Sequence, residues 1–204
     1  MKEIKGQIIT EEGLPVQIKD SNGTILYSTN ALVGKATKQF FSEISLEYHR
    51  EGQFISDVVV NNGNLVTNLV TNEDYLVLAT MEEIVQEEKI ATVARMIKCN
   101  AAISIKKYEE TADEFGNIVK QQVTVADNLS VYMVKVSNSL DQYKMGLVAN
   151  AEYLIYSPLI NVSVLNKLLI NINGEIMQFK VESVDYISFN GVVLIGIVTD
   201  QVRS

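Results

Sequence analysis

Val16-Gln17-Ile18-Lys19-Asp20-Ser21-Asn22-Gly23-Thr24-Ile25-Leu26-Tyr27 is the stretch that decides the fold class. Val16 and Ile18 alternate with Gln17 and Lys19, the period of a half-buried strand. Asp20 to Gly23 supplies turn chemistry, because Asn-Gly tolerates the positive φ of a tight hairpin, and a second apolar run follows it. The same pattern recurs outward from there. Ile44, Leu46 and Tyr48 alternate with Glu43, Ser45, Glu47 and His49. Phe54 to Val60 and Leu65 to Val70 flank the turn Asn61-Asn62-Gly63-Asn64, and Tyr75 to Ala79 reads as one more short strand. Ala36 to Ser42 fits either a helical turn or the start of a strand.

The period then changes. Thr80-Met81-Glu82-Glu83 has the form of a capping box. Ile84, Ile90, Ala91, Ala94 and Ile97 recur at helical spacing, with glutamates towards the start and Arg95 and Lys98 at the end, as a helix dipole favours. The pattern predicts an amphipathic helix over about 80–98 and a seam between two halves there.

Strand signals return after it. Ala102 to Tyr108, Ile118 to Ala126 and Ser130 to Val136 alternate, and Glu109 to Asn117 reads as a polar loop. Asn173-Gly174 and Asn190-Gly191 divide Lys167 to Asn171, Glu175 to Val181 and Val192 to Thr199 into strands. The expected fold is mainly β: small barrel or sandwich domains with one helix, a first domain over 1–98 and a barrel-like second over 99–204.

Composition narrows the function. The protein has 204 residues, 47% of them hydrophobic and 21% charged, enough apolar surface for a real core. A net charge of −8 repels phosphate backbones and anionic lipid, so neither nucleic acid nor membrane is an expected primary partner. No apolar run is long enough to span a bilayer, and the N-terminus lacks the apolar stretch of a signal peptide, so synthesis in a cytoplasm is expected. Cys99 is the sole cysteine, which excludes an internal disulfide.

Catalytic constellations are missing. His49, the sole histidine, reads as exposed on the polar side of a strand beside Arg50. Cys99 falls at the C-terminal end of the predicted helix, where the dipole favours thiol over thiolate. Gly34-Lys35-Ala36-Thr37 resembles the end of a phosphate-binding loop, yet Thr29 stands where glycine is required and Ala36 where a hydroxyl should meet magnesium. The acidic run Glu109 to Glu114 could engage calcium through Asp113, Glu114 and the Asn117 carbonyl, but lacks the alternating oxygens of a calcium loop. No enzyme, cofactor or metal is expected. Surface is left as the working part, and Tyr132, Tyr143, Tyr153, Tyr156 and Tyr186 suit either an interface or the edge of a core.

The second half carries Asp113-Glu114-Phe115-Gly116-Asn117, then Ala126-Asp127-Asn128-Leu129-Ser130-Val131-Tyr132, and closes with Ile172-Asn173-Gly174-Glu175 and Phe179-Lys180-Val181. This order resembles the small β-barrel head–tail connector proteins of tailed bacteriophages, the stopper-like components of the virion neck. Leu165-Asn166-Lys167 stands where that family has Gly-Asp before its late strand pair. The resemblance implies a structural protein of the virion, assembled in the host cytoplasm as a ring of identical subunits. It would contact neighbouring neck or tail proteins while DNA at most passes through. The long loop Ser137 to Gly146 would then be the contact element, through Ser137, Asn138, Leu140, Asp141, Tyr143 and Lys144. The alternative is a non-catalytic β-module that binds carbohydrate or protein, or another tail or baseplate component.

Overall fold

The computed structural model describes residues 1–39, 44–112, 115, 117–136, 150–164, 166–172 and 175–200. Among the described residues a helix, α1 (Lys2–Glu12), precedes twelve strands. The first six are β1 (Leu14–Lys19), β2 (Ile25–Lys35), β3 (His49–Ile55), β4 (Leu65–Asn68), β5 (Glu73–Val85) and β6 (Glu88–Lys98). They close into an antiparallel barrel in the order β1-β2-β3-β6-β5-β4. The remaining strands are β7 (Ala101–Ala112), β8 (Ile118–Lys135), β9 (Tyr153–Pro158), β10 (Lys167–Ile172), β11 (Glu175–Phe189) and β12 (Val192–Thr199). They close in the order β10-β11-β12-β9-β8-β7. Closure removes the unpaired edges that an open sheet would expose.

The mainly β, barrel-forming class is as the sequence predicts, but the helix is not over 80–98. That stretch is most of the β5–β6 hairpin, paired from Tyr75↔Lys98 to Val85↔Glu88 and turned at Gln86 and Glu87, both with positive φ (51° and 67°). Each face of β6 is covered, which explains the false helical period. Ala94 and Met96 enter the first barrel with Tyr75 and Val77, while Ile97 on the opposite face joins the core of the second barrel. A strand buried on both faces loses its clean alternation. The local capping box is overridden by pairing with β6, from Thr80↔Ala94 to Glu83↔Ala91.

The α-helix found among the described residues, α1, has a single buried residue, Ile9. It packs on β6, β2 and β3, with Lys2–Asp57 and Lys5–Glu83 ion pairs at 3.3 Å each and a 2.7 Å bond from Asn30 Nδ2 to the Thr10 carbonyl. So weak an apolar face leaves little periodic signal.

Three further expectations are corrected. The strand expected around Ile44 to Tyr48 is a 3-10 turn over Leu46–Tyr48, and pairing starts at His49. His49 is fully buried rather than exposed, with Nδ1 3.2 Å from the Ser45 carbonyl oxygen. Glu109 to Ala112 continue β7 instead of opening a loop. The strand β9 had no counterpart in the sequence reading, and its Tyr156 is core: fully buried, with its ring 5.9 Å from Tyr132.

The two barrels share a core. Ile44, Leu65, Leu76, Leu78 and Ile97 from the first half pack in one cluster with Ile103, Tyr132, Tyr156, Leu194 and their neighbours from the second. Tyr48 lies 5.1 Å from Tyr132, ring to ring. The backbone passes from one barrel to the other at Cys99 and Asn100, and the Asn100 amide exchanges two bonds with the Met133 backbone, at 2.7 and 2.8 Å. An apolar interface of this kind holds two barrels as one body.

Candidate functional site at the barrel joint

Two open hollows, of about 330 Å³ beside β2 and β3 and about 660 Å³ beside the start of α1, are lined by first-barrel residues and α1 alone. A third, of about 550 Å³, lies in the joint and takes residues from both barrels. Its volume falls in the range of small-molecule sites.

The first wall is the β1–β2 turn. The Asp20 carboxylate accepts the backbone N–H of Asn22 at 2.9 Å and of Thr24 at 2.8 Å, and Gly23 takes φ +81° to close the loop. This places Lys19, Ser21 and Asn22 along the cleft. The opposite wall is Thr124 to Ser130 of β8, where the pairing register with β7 shifts twice and Asn128 adopts φ +49°. The bulge is braced from β7: Ser104 Oγ donates to Asp127 at 2.6 Å and accepts the Asn128 N–H at 3.2 Å. Bulges of this kind re-aim side chains at functional positions.

Leu65, Val125, Ala126, Leu129 and Ile160 supply the apolar part of the lining, and Asp74 ties the β8 wall to β4 of the first barrel. One Asp74 oxygen accepts from Thr67 Oγ1 and the other from Ser130 Oγ, each at 2.5 Å, and its carbonyl accepts the Cys99 N–H at 2.8 Å. Asp74 and Asp127 are therefore engaged in structure. Lys19, Ser21, Asn22, Thr124 and Asn128 line the cleft with side chains that have no polar partner among the described residues. They offer one ammonium, two amides and two hydroxyls to a ligand.

Cys99 sits behind this site, and burial, then the nearby Asp74 carboxylate, raises its thiol far above the usual value. That is the environment of an inert thiol. The Tyr132 hydroxyl is pushed up to about 12 by burial, then by Tyr48 and Glu47. Gly34 and Lys35, the phosphate-loop lookalike, are the last residues of β2. Among the described residues no group of three or more His, Cys, Asp or Glu is placed to hold a metal. No helix there is long and apolar enough to cross a membrane.

The interface residues expected from sequence, Ser137, Asn138, Leu140, Asp141, Tyr143 and Lys144, lie outside the described residues, as do Asp113 and Glu114. The sequence did mark both walls of the cleft, as an Asn-Gly turn and as the Asp127-Asn128 segment, but nothing local says that they face each other.

No family model and no curated protein matches the sequence. Among solved structures, MrkH of K. pneumonia in its apo state aligns over 97% of this protein and 83% of that one, at 9% identity and a TM-score of 0.27. A likeness that slight carries no argument about fold or function.

Proposed function

We propose that the protein is a non-catalytic binding module whose ligand sits in the joint between the barrels. The observation that carries this reading is the cleft itself: a hollow of about 550 Å³ walled by both barrels. Its polar lining is of two kinds, Asp74, Asp127 and Ser130, already engaged in structure, and donors left open. The open groups favour a small polyoxygenated ligand of at most one or two negative charges, such as a sugar phosphate. Lys19 meets the anion, Asn22 and Asn128 bond the oxygens, and Leu65, Leu129 and Ile160 take an apolar edge. Backbone amide NMR shifts during titration with a panel of neutral sugars and sugar phosphates test it. Saturable shifts confined to residues 19–23 and 124–130, abolished by Lys19→Ala with Asn128→Ala, support the reading; shifts elsewhere or none refute it.

A second reading, the ring-forming connector of a phage neck or tail, draws on a different observation. The apolar side chains most open to solvent among the described residues are Ile187, Phe115, Ile118 and Ile176, at 93%, 88%, 72% and 72% exposure, all in the second half of the sequence. Such exposure on one barrel suits contacts with further copies or neighbouring virion proteins. The mass of the purified protein in solution, alone and with candidate neck components, separates the two. A closed ring favours the connector, and a monomer under all conditions favours the binding module.

A further inference from the structure

Asn-Gly is special chemically as well as conformationally. With no side chain on the glycine, its amide nitrogen can approach Cγ, the amide carbon of the preceding asparagine. Three such pairs are described: Asn22-Gly23, Asn62-Gly63 and Asn190-Gly191.

Their surroundings differ sharply. Gly63 is buried, its N–H donates to the Val77 carbonyl at 2.8 Å, and a Cβ built on it would lie 1.9 Å from the Gly191 carbonyl oxygen. Gly191 faces the same contact from the other side, 2.3 Å from the Asn62 carbonyl oxygen. Both backbones are wedged and cannot buckle into a five-membered ring without opening the joint. Gly23 is exposed, with no heavy atom within 4 Å of the Cβ position. Its own N–H donates to the Asp20 carbonyl at 3.1 Å, and the turn around it is held only by Asp20, through its carboxylate and backbone, with one face open to solvent.

We propose that Asn22 is a site of spontaneous, structure-selected deamidation that places a negative charge at the rim of the joint cleft. The Gly23 amide loses its proton to hydroxide, and its nitrogen attacks Cγ of Asn22. The new bond closes a succinimide as the bond from Cγ to Nδ2 breaks, and ammonia leaves after taking up a proton from water. Water then adds to either ring carbonyl, giving aspartate or isoaspartate. The net change is amide plus water to acid plus ammonia, with no other reactant.

The product carboxylate stands in the turn that follows Lys19, the one cationic residue lining the cleft among the described residues. The isoaspartate form also lengthens the backbone inside a turn held by Asp20. Deamidation therefore switches the cleft against anionic ligands as the protein ages. This consequence rests on the reading of the cleft as a ligand site; the modification itself does not.

The test incubates the intact protein at mildly alkaline pH and follows peptide maps by mass spectrometry over time, with a sample unfolded in urea alongside. In the folded protein, conversion at Asn22 outpaces Asn62 and Asn190 by on the order of tenfold or more, because those two react only through opening of the joint. In urea the three rates converge, and Asn22→Gln removes the fast conversion. Equal rates in the folded protein, or an unreactive Asn22, would overturn the proposal. The charge effect is read separately: Asn22→Asp weakens binding of a sugar phosphate several-fold relative to a neutral sugar. A positive peptide map without that difference leaves the modification standing and removes the ligand reading.

Discussion

Gly63 of the first barrel and Gly191 of the second meet backbone to backbone, so closely that a Cβ on Gly63 would lie 1.9 Å from the Gly191 carbonyl oxygen. Both sit at positive φ, +82° and +75°. The turn leading from β3 into β4 and the β11–β12 hairpin turn, distant in sequence, are thus pressed into one contact, and glycine is required twice over, by conformation and by space.

Alanine at either position should therefore pry the barrels apart. Gly63→Ala and Gly191→Ala are each expected to cost about 3 kcal/mol, from φ strain plus displaced backbone. Gly23→Ala, at φ +81° but in open space, isolates the strain alone at about 1 kcal/mol. Urea denaturation measures all three. Equal losses at the three glycines would show that the contact contributes nothing.

Asp74 is the polar counterpart of that contact. Asp74→Ala leaves the Thr67 and Ser130 hydroxyls at the joint without their acceptor and is expected to cost about 2 kcal/mol. In a double-mutant cycle, Ser130→Ala should recover part of that loss, a coupling of about 1 kcal/mol. Strict additivity would mean that the bond does not link the barrels.

Acid should loosen two other sites. The Lys98 ammonium at 2.5 Å, then the Tyr75 hydroxyl at 2.7 Å, holds the Glu73 carboxyl below its ordinary value. Gln178 and then Lys167 do the same for Asp200. A carboxyl whose folded pKa is depressed contributes stability that is complete above its unfolded value and is lost as pH falls through the folded one. Both carboxyls are partly open to water, so the effect is screened and modest. Thermal melts should hold level down to about pH 5 and then decline, with Glu73→Gln reducing the slope between about pH 5 and 3. An unchanged slope in that variant excludes Glu73 as a contributor.

Cys99 should resist thiol reagents in the folded protein at about pH 8, because burial and Asp74 both disfavour its thiolate. Colour development with an aromatic disulfide should appear only with unfolding, in step with loss of the β-sheet circular dichroism signal. A fast reaction under native conditions would contradict the suppression of the thiolate at this half-buried position.

The β5–β6 turn holds Gln86 and Glu87 at φ 51° and 67°, a conformation that Asn-Gly adopts far more readily. Replacing the pair by Asn-Gly should stabilise the protein by about 1 kcal/mol. In a helix over 80–98 the same change would destabilise, so the sign of the effect discriminates between the two conformations.

Alternation and turn chemistry are relations between near neighbours, and they determined the β class. Val16 and Ile18 lie inward as their spacing says, and Val192 to Thr199 is a strand with the bounds its flanking Asn-Gly implies. The stretch 80–98, the burial of His49 and the β9 strand were decided by partners far away in the sequence. Ile97 looks helical in sequence because it serves a second core, and His49 is buried because it pairs with Ile97 at the joint. The cleft belongs to the same class of facts. Lys19 and Asn128 are ordinary polar residues in two ordinary hairpins, and only the packing of one closed barrel on another turns them towards the same space.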